Sequence, residues 1–151
     1  MGRMSTKYRV QNPKNNEIVE SFDFITDDEL ETALATANDT FKQWREKSFE
    51  ERAEVLRKVA KLFDEQRAEL TRIIAEEMGK SVKEGDGEID DVVEIFNYYA
   101  DNGAEFGADE EIPNQRGGTS VMRKVPLGVI LGIMPWNFPY YQVARFAAPA
   151  L

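Results

Sequence analysis

Three times along this chain a hydroxyl residue is followed three places later by a glutamate and then by apolar residues at helical spacing. The pairs are Thr26–Glu29, Ser48–Glu51 and Ser81–Glu84. In such a box the hydroxyl accepts one of the orphan N–H groups of a helix start while the glutamate reaches back to the cap residue. The boxes therefore fix where helices begin. The first stripe runs through Leu30, Ala33, Leu34, Ala37, Phe41 and Trp44. A second takes in Leu56, Val59, Ala60, Phe63, Leu70, Ile73 and Ile74 and stops near Gly79; a third takes in Ile89, Val92, Val93, Phe96, Tyr99 and Ala100, with Gly103 and Gly107 as its end. The spacing predicts three long helices. Gly85 and Gly87 each weaken the third by about 1 kcal/mol relative to alanine, which points to close packing of its first turn.

The flanks read differently. Tyr8 and Val10 alternate before the turn residues Asn12, Pro13, Asn15 and Asn16, and Ile18, Val19, Phe22 and Phe24 follow, which predicts a hairpin. From Glu111 the pattern returns to strand, with the loop Asn114–Gly118 before Val121, Arg123 and Val125. Pro126 breaks this run ahead of "LGVILGIM", a continuous apolar stretch of the kind that forms a strand buried on both faces. "PWNFP" then turns the chain, and "YYQVARFAAPA" reads as a helix with Pro139 at its first position. Strand, tight loop and helix make the opening of a βαβ unit. The fold class expected is α/β.

Composition excludes several functions. With 151 residues and 42% hydrophobic content the chain can bury a core. A net charge of −9 opposes a nucleic-acid surface and fits simple solubility. There is no cysteine and no histidine, so the chain offers no disulfide, no thiolate or imidazole metal site and no cysteine nucleophile. No metal is expected. Residues 1–20 are too polar for a signal peptide, and no apolar run approaches the roughly 20 residues a bilayer requires. A soluble, cytoplasmic protein is expected, with no membrane or nucleic-acid partner.

Chemistry is most plausible at "MPWNFP", a loop between an apolar strand and a helix N-terminus, where α/β proteins bind ligands. Asn137 can both donate and accept hydrogen bonds. Set among two prolines and two aromatics, it is either a rigid amide donor for a developing oxyanion or a cap on the next helix. Phe138, Gln142 and Arg145 share one side of that helix. Arg145 lies among apolar residues and needs an anion, supplied by a protein carboxylate or by a ligand. The acidic pairs Asp27–Asp28, Glu76–Glu77, Asp90–Asp91 and Glu110–Glu111 belong to solvated faces or first turns rather than to catalysis. Trp44, Tyr98 and Tyr99 read as core or interface. No Gly-x-Gly-x-x-Gly is present.

"GVILGIMPWNFPYYQVARFAAPAL" resembles the aldehyde dehydrogenase superfamily, and within it the succinate-semialdehyde dehydrogenases. "NPKNNEIVESF" is similar to the family's opening hairpin, "ANDTFKQWREKSFEERAEVLRKVAKLF" to its first helices and "EEMGKSVKEGDGEID" to its next helix boundary. The resemblance implies the N-terminal portion of that fold. Residues 1–118 would be the hairpin and helical part of the cofactor-binding domain, and 119–126 a strand of the oligomerisation sheet. Residues 127–151 would start the Rossmann-like core, with Leu127–Met134 as its first strand.

The resemblance further implies that Met134, Pro135, Trp136 and Asn137 border NAD or NADP, and that Asn137 donates to the oxyanion of a cysteine thiohemiacetal. Phe138 and Gln142 would border the aldehyde tunnel. Arg145 would hold the substrate's distal carboxylate, so that succinate semialdehyde becomes succinate in a dimeric or tetrameric enzyme. The chain departs from the family in lacking the cysteine nucleophile and the glutamate that activates water. It is therefore expected to be an inactive N-terminal fragment of a longer enzyme. The alternative is a non-catalytic truncated homologue, acting as a helical interaction module or subunit partner.

Overall fold

The computed structural model describes residues 8–115 and 117–151. Residues 1–7 and Arg116, which belong to the expected 1–118 segment and its Asn114–Gly118 loop, lie outside the described residues. The chain opens with strands β1 (Tyr8–Gln11) and β2 (Ile18–Phe22), paired antiparallel with Tyr8 opposite Phe22. Their turn is closed by Asn12, whose carbonyl accepts from Asn16 N–H at 2.8 Å and whose side chain accepts from Lys14 N–H at 2.9 Å. Asn16 takes φ of 62°, a left-handed conformation that asparagine tolerates.

Four helices follow: α1 (Asp27–Trp44), α2 (Phe49–Glu65), α3 (Arg67–Met78) and α4 (Val82–Phe106). All three capping boxes form, with both reciprocal hydrogen bonds in each. Two helix expectations need correction. The second helix does not run unbroken to Gly79; Gln66, at φ −98° and ψ 10°, closes α2 and opens α3. Arg67 just beyond the bend binds Asp64 at 2.8 Å, Asp86 at 3.2 Å and Asp90 at 2.8 Å, which ties the break to α4. Gly79 ends α3 at φ 76°, a left-handed cap. The third predicted helix passes through Gly103 and ends only at Phe106, capped by Gly107.

The core lies where α2, α4 and α5 (Pro139–Ala150) meet. Ala53, Leu56 and Ala60 come from α2, Val92, Phe96 and Ala100 from α4, and Ala144 and Ala148 from α5. The paired alanines of α5, one turn apart, let it approach α4 closely. Gly85 does the same for α3: a Cβ there would sit 3.1 Å from Thr71 Cγ2. Among the described residues α1 buries none of its side chains; Trp44 at its end donates from Nε1 to the carbonyl of Leu151 at 3.0 Å.

After α4, strands β3 (Glu110–Ile112) and β4 (Ser120–Met122) form a second antiparallel pair, with Glu111 opposite Val121. Only three residues of the expected strand 119–126 are paired. Arg123 beyond it grips Asp109 at 2.7 Å and holds that carboxyl below its ordinary range. The expected strand Leu127–Met134 is not formed here. Neither described sheet includes it, and Leu127 (94% exposed) and Ile133 (86%) are open to solvent. A strand exists only through neighbours that take its N–H and C=O groups, and the described chain holds no strand beside this one.

Candidate active site

The loop Met134–Phe138 feeds directly into α5. Met134 is half-buried near Gly132, while Pro135, Trp136 (77% exposed) and Asn137 face outward. Phe138 is the N-cap of α5 and makes no side-chain cap. Asn137 therefore does not cap the helix, and it makes no hydrogen bond among the described residues. Of the two readings of this side chain, the cap on the next helix is not formed.

A different residue serves the helix start. Glu88 of α4 is 1% exposed. Its Oε1 accepts from Tyr140 N–H at 2.8 Å and from Tyr141 N–H at 3.0 Å, the orphan donors of the first turn of α5. Its Oε2 pairs with Lys80 Nζ at 2.5 Å. The same ammonium stands 3.5 Å from the centre of the Phe138 ring, a cation–π contact. One carboxylate thus meets a cation and a helix N-terminus together. Tyr140 packs edge-on to Phe63, and burial, then the carboxylates Glu77, Glu88 and Glu69, raise its hydroxyl pKa.

Glu88 was missed by sequence reasoning, yet a signal was present. It sits three residues after Gly85 and four before Val92, inside the buried stripe of α4, where a glutamate has no place without partners.

Gln142 and Arg145 lie off the face that carries Ala144 and Ala148. The Arg145 guanidinium lies 5.7 Å from the Tyr141 ring and pairs with no carboxylate among the described residues. A cleft of about 440 Å³ beside it is lined by Asp91, Glu94, Ile95, Phe138 and Tyr141. Of the expected site residues only Phe138 lines this cleft. Met134, Pro135, Trp136, Asn137, Gln142 and Arg145 follow one another along the loop and α5 and do not line it. No group of acidic residues able to hold a metal occurs among the described residues.

A hairpin, a three-helix core and an apolar run turning through Pro-Trp-Asn-Phe-Pro into a clamped helix define an N-terminal aldehyde dehydrogenase portion. The chain belongs to the aldehyde dehydrogenase family, whose model matches residues 2–151. It is 38% identical over 149 residues to the succinate-semialdehyde dehydrogenase (NADP+) of Deinococcus radiodurans, covering 99% of this chain and 31% of that protein. The crystal structure of succinic semialdehyde dehydrogenase from Streptococcus pyogenes in complex with NADP+ superposes with a TM-score of 0.90 at 37% identity, over 95% of this chain and 31% of that one. Betaine aldehyde dehydrogenase from Staphylococcus aureus in complex with NAD+ gives a TM-score of 0.87 at 29% identity, over 96% of this chain and 30% of that one. The chain thus spans about a third of the length of the relatives it matches.

Proposed function

We propose that the protein carrying this chain oxidises succinate semialdehyde to succinate with NAD or NADP, as a cytoplasmic homo-oligomer. The observation that carries the substrate assignment is Arg145, a guanidinium with no protein carboxylate among the described residues, eight positions beyond a free asparagine amide. The relatives quoted above bear the name of that substrate or of another aldehyde.

The roles divide by chemistry. Arg145 binds the distal carboxylate of the substrate through charge-assisted hydrogen bonds. Phe138 and Gln142 border the path of the aldehyde. Asn137 donates to the oxygen that becomes negative when a cysteine outside this chain attacks the aldehyde carbon. Met134, Pro135 and Trp136 offer a rigid, largely apolar wall, which fits the uncharged faces of a dinucleotide, and with Asn137 they would hold it. When bound, that cofactor accepts a hydride.

Replacing Arg145 by alanine is expected to raise KM for succinate semialdehyde by roughly 10–100-fold, the loss of one charged hydrogen-bonded pair, and to leave neutral aldehydes little changed. Steady-state kinetics on the longest natural polypeptide carrying this chain would measure both; equal losses on the two substrates would remove the carboxylate role. Asn137→Ala is expected to lower kcat by roughly 10²–10³. An undiminished kcat would remove the oxyanion role.

A second reading is favoured by one fact, the absence of cysteine from all 151 residues. On that reading the chain is a non-catalytic module or subunit partner. Intact mass of the native protein separates the two. A species near 17.2 kDa supports the module, whereas one about three times larger supports the enzyme, since the chain spans 31% of its relative.

A further inference from the structure

The geometry points to Glu88 and Lys80 as positioning residues that fix the start of α5 and thereby the aim of the Asn137 amide. The inference rests on the oxyanion reading of Asn137 given above. Nothing in that loop secures itself: the N-cap Phe138 has no side chain able to accept a hydrogen bond, and Pro139 has no N–H to donate. The first backbone donors of α5 beyond Pro139 are those of Tyr140 and Tyr141, and both end on one oxygen of Glu88, 52 and 53 residues away in sequence. The other oxygen is held by Lys80, whose ammonium also lies against the ring of Phe138, the residue next to Asn137. One buried ion pair therefore grips the chain on the helix side of the asparagine at three successive non-proline positions: 138 by its ring, 140 and 141 by their backbones.

An oxyanion donor acts only where its N–H already points, so a shift of about 1 Å from a distant change is enough to lower a rate by roughly 100-fold. Glu88 and Lys80 touch no reacting atom on this reading; they act through position 137. That separates them from residues that merely stabilise the bundle.

The test is a double-mutant cycle on kcat in the longest natural polypeptide carrying this chain, with hydrogen–deuterium exchange of the Tyr140 and Tyr141 amides on the same proteins. Glu88→Gln keeps an acceptor oxygen but loses the charge, and should lower kcat about 10-fold; Glu88→Ala should lower it about 100-fold. Either change should speed exchange at both amides. In an Asn137→Ala background the same changes should lower kcat less than about 2-fold further, because their route is already gone. Should Glu88→Ala not fold, the cycle stands on Glu88→Gln. Additive losses, or protected amides in the Glu88 variants, overturn the inference. If Asn137→Ala alone leaves kcat intact, the oxyanion reading falls instead, and amide exchange still decides whether Glu88 fixes the loop.

Discussion

Phe49 occupies the space that a side chain at position 107 would need. A Cβ on Gly107 would lie 2.0 Å from Phe49 Cζ, and that ring is itself pinned under the Arg52 guanidinium at 4.4 Å. Gly107→Ala is expected to destabilise the protein by about 1–3 kcal/mol, the usual effect of overpacking. Gly87, inside the helix that Gly107 caps, has nothing within 4 Å of its would-be Cβ, so Gly87→Ala should add about 0.5–1 kcal/mol. Urea unfolding midpoints would read both, and a loss at position 87 would count against a regular helix there. The sequence read Gly107 as a helix end, which it caps, and Gly85 with Gly87 as marks of close packing, which holds at Gly85 beside Thr71 and fails at Gly87; the crowding of Gly107 comes from a neighbour 58 positions away and left no local signal. Glu88 shows the same limit. Its misfit with the apolar stripe was visible, but its partners come from another helix and from a lysine before the cap.

Helix starts are where local chemistry is most nearly sufficient, and all of the capping boxes formed as expected. They also make the helices sensitive to acid. Hydrogen bonds to the Thr26 and Ser48 backbones hold Glu29 and Glu51 below their ordinary value of 4.5, and the Ser81 hydroxyl does the same for Glu84. A carboxyl whose folded pKa is depressed contributes stability that is present above about 4.5 and lost as pH falls through the lower folded value. Thermal unfolding followed against pH should therefore show Tm falling below pH 4.5, less steeply in a Glu29→Gln, Glu51→Gln, Glu84→Gln variant. Identical slopes would show that the boxes do not carry the effect. Helix ends and interruptions were less legible. Gln66 carries no breaker signal, and the bend there is set by Arg67 reaching three aspartates, two of them on α4.

At the scale of the molecule, the expected strand that is not found is the element whose existence depends on partners from other segments. Leu127–Met134 has the composition of a strand buried on both faces, but a strand is a relation between segments and cannot be realised alone. On the proposed reading the site is divided in the same way: the loop with Asn137 and the helix with Arg145 are described, and neither residue lines the cleft beside Phe138. If β4 belongs to the oligomerisation sheet that the resemblance implies for 119–126, Val121→Asp should lower the oligomeric state measured by light scattering, because the aspartate at that half-exposed position would place a charge in the interface. An unchanged assembly would place the interface elsewhere.

The clamp on α5 has a bearing on how such a protein is made. Glu88, Lys80 and the alanine seam all precede or lie within α5, so a ribosome needs to release little beyond residue 148 before that helix can dock. The bare ribbon from 127 to 133 would then lie exposed between β4 and the docked helix. It is a stretch of exposed leucine, isoleucine and valine, and chaperones in the cell would be expected to meet the nascent protein there first.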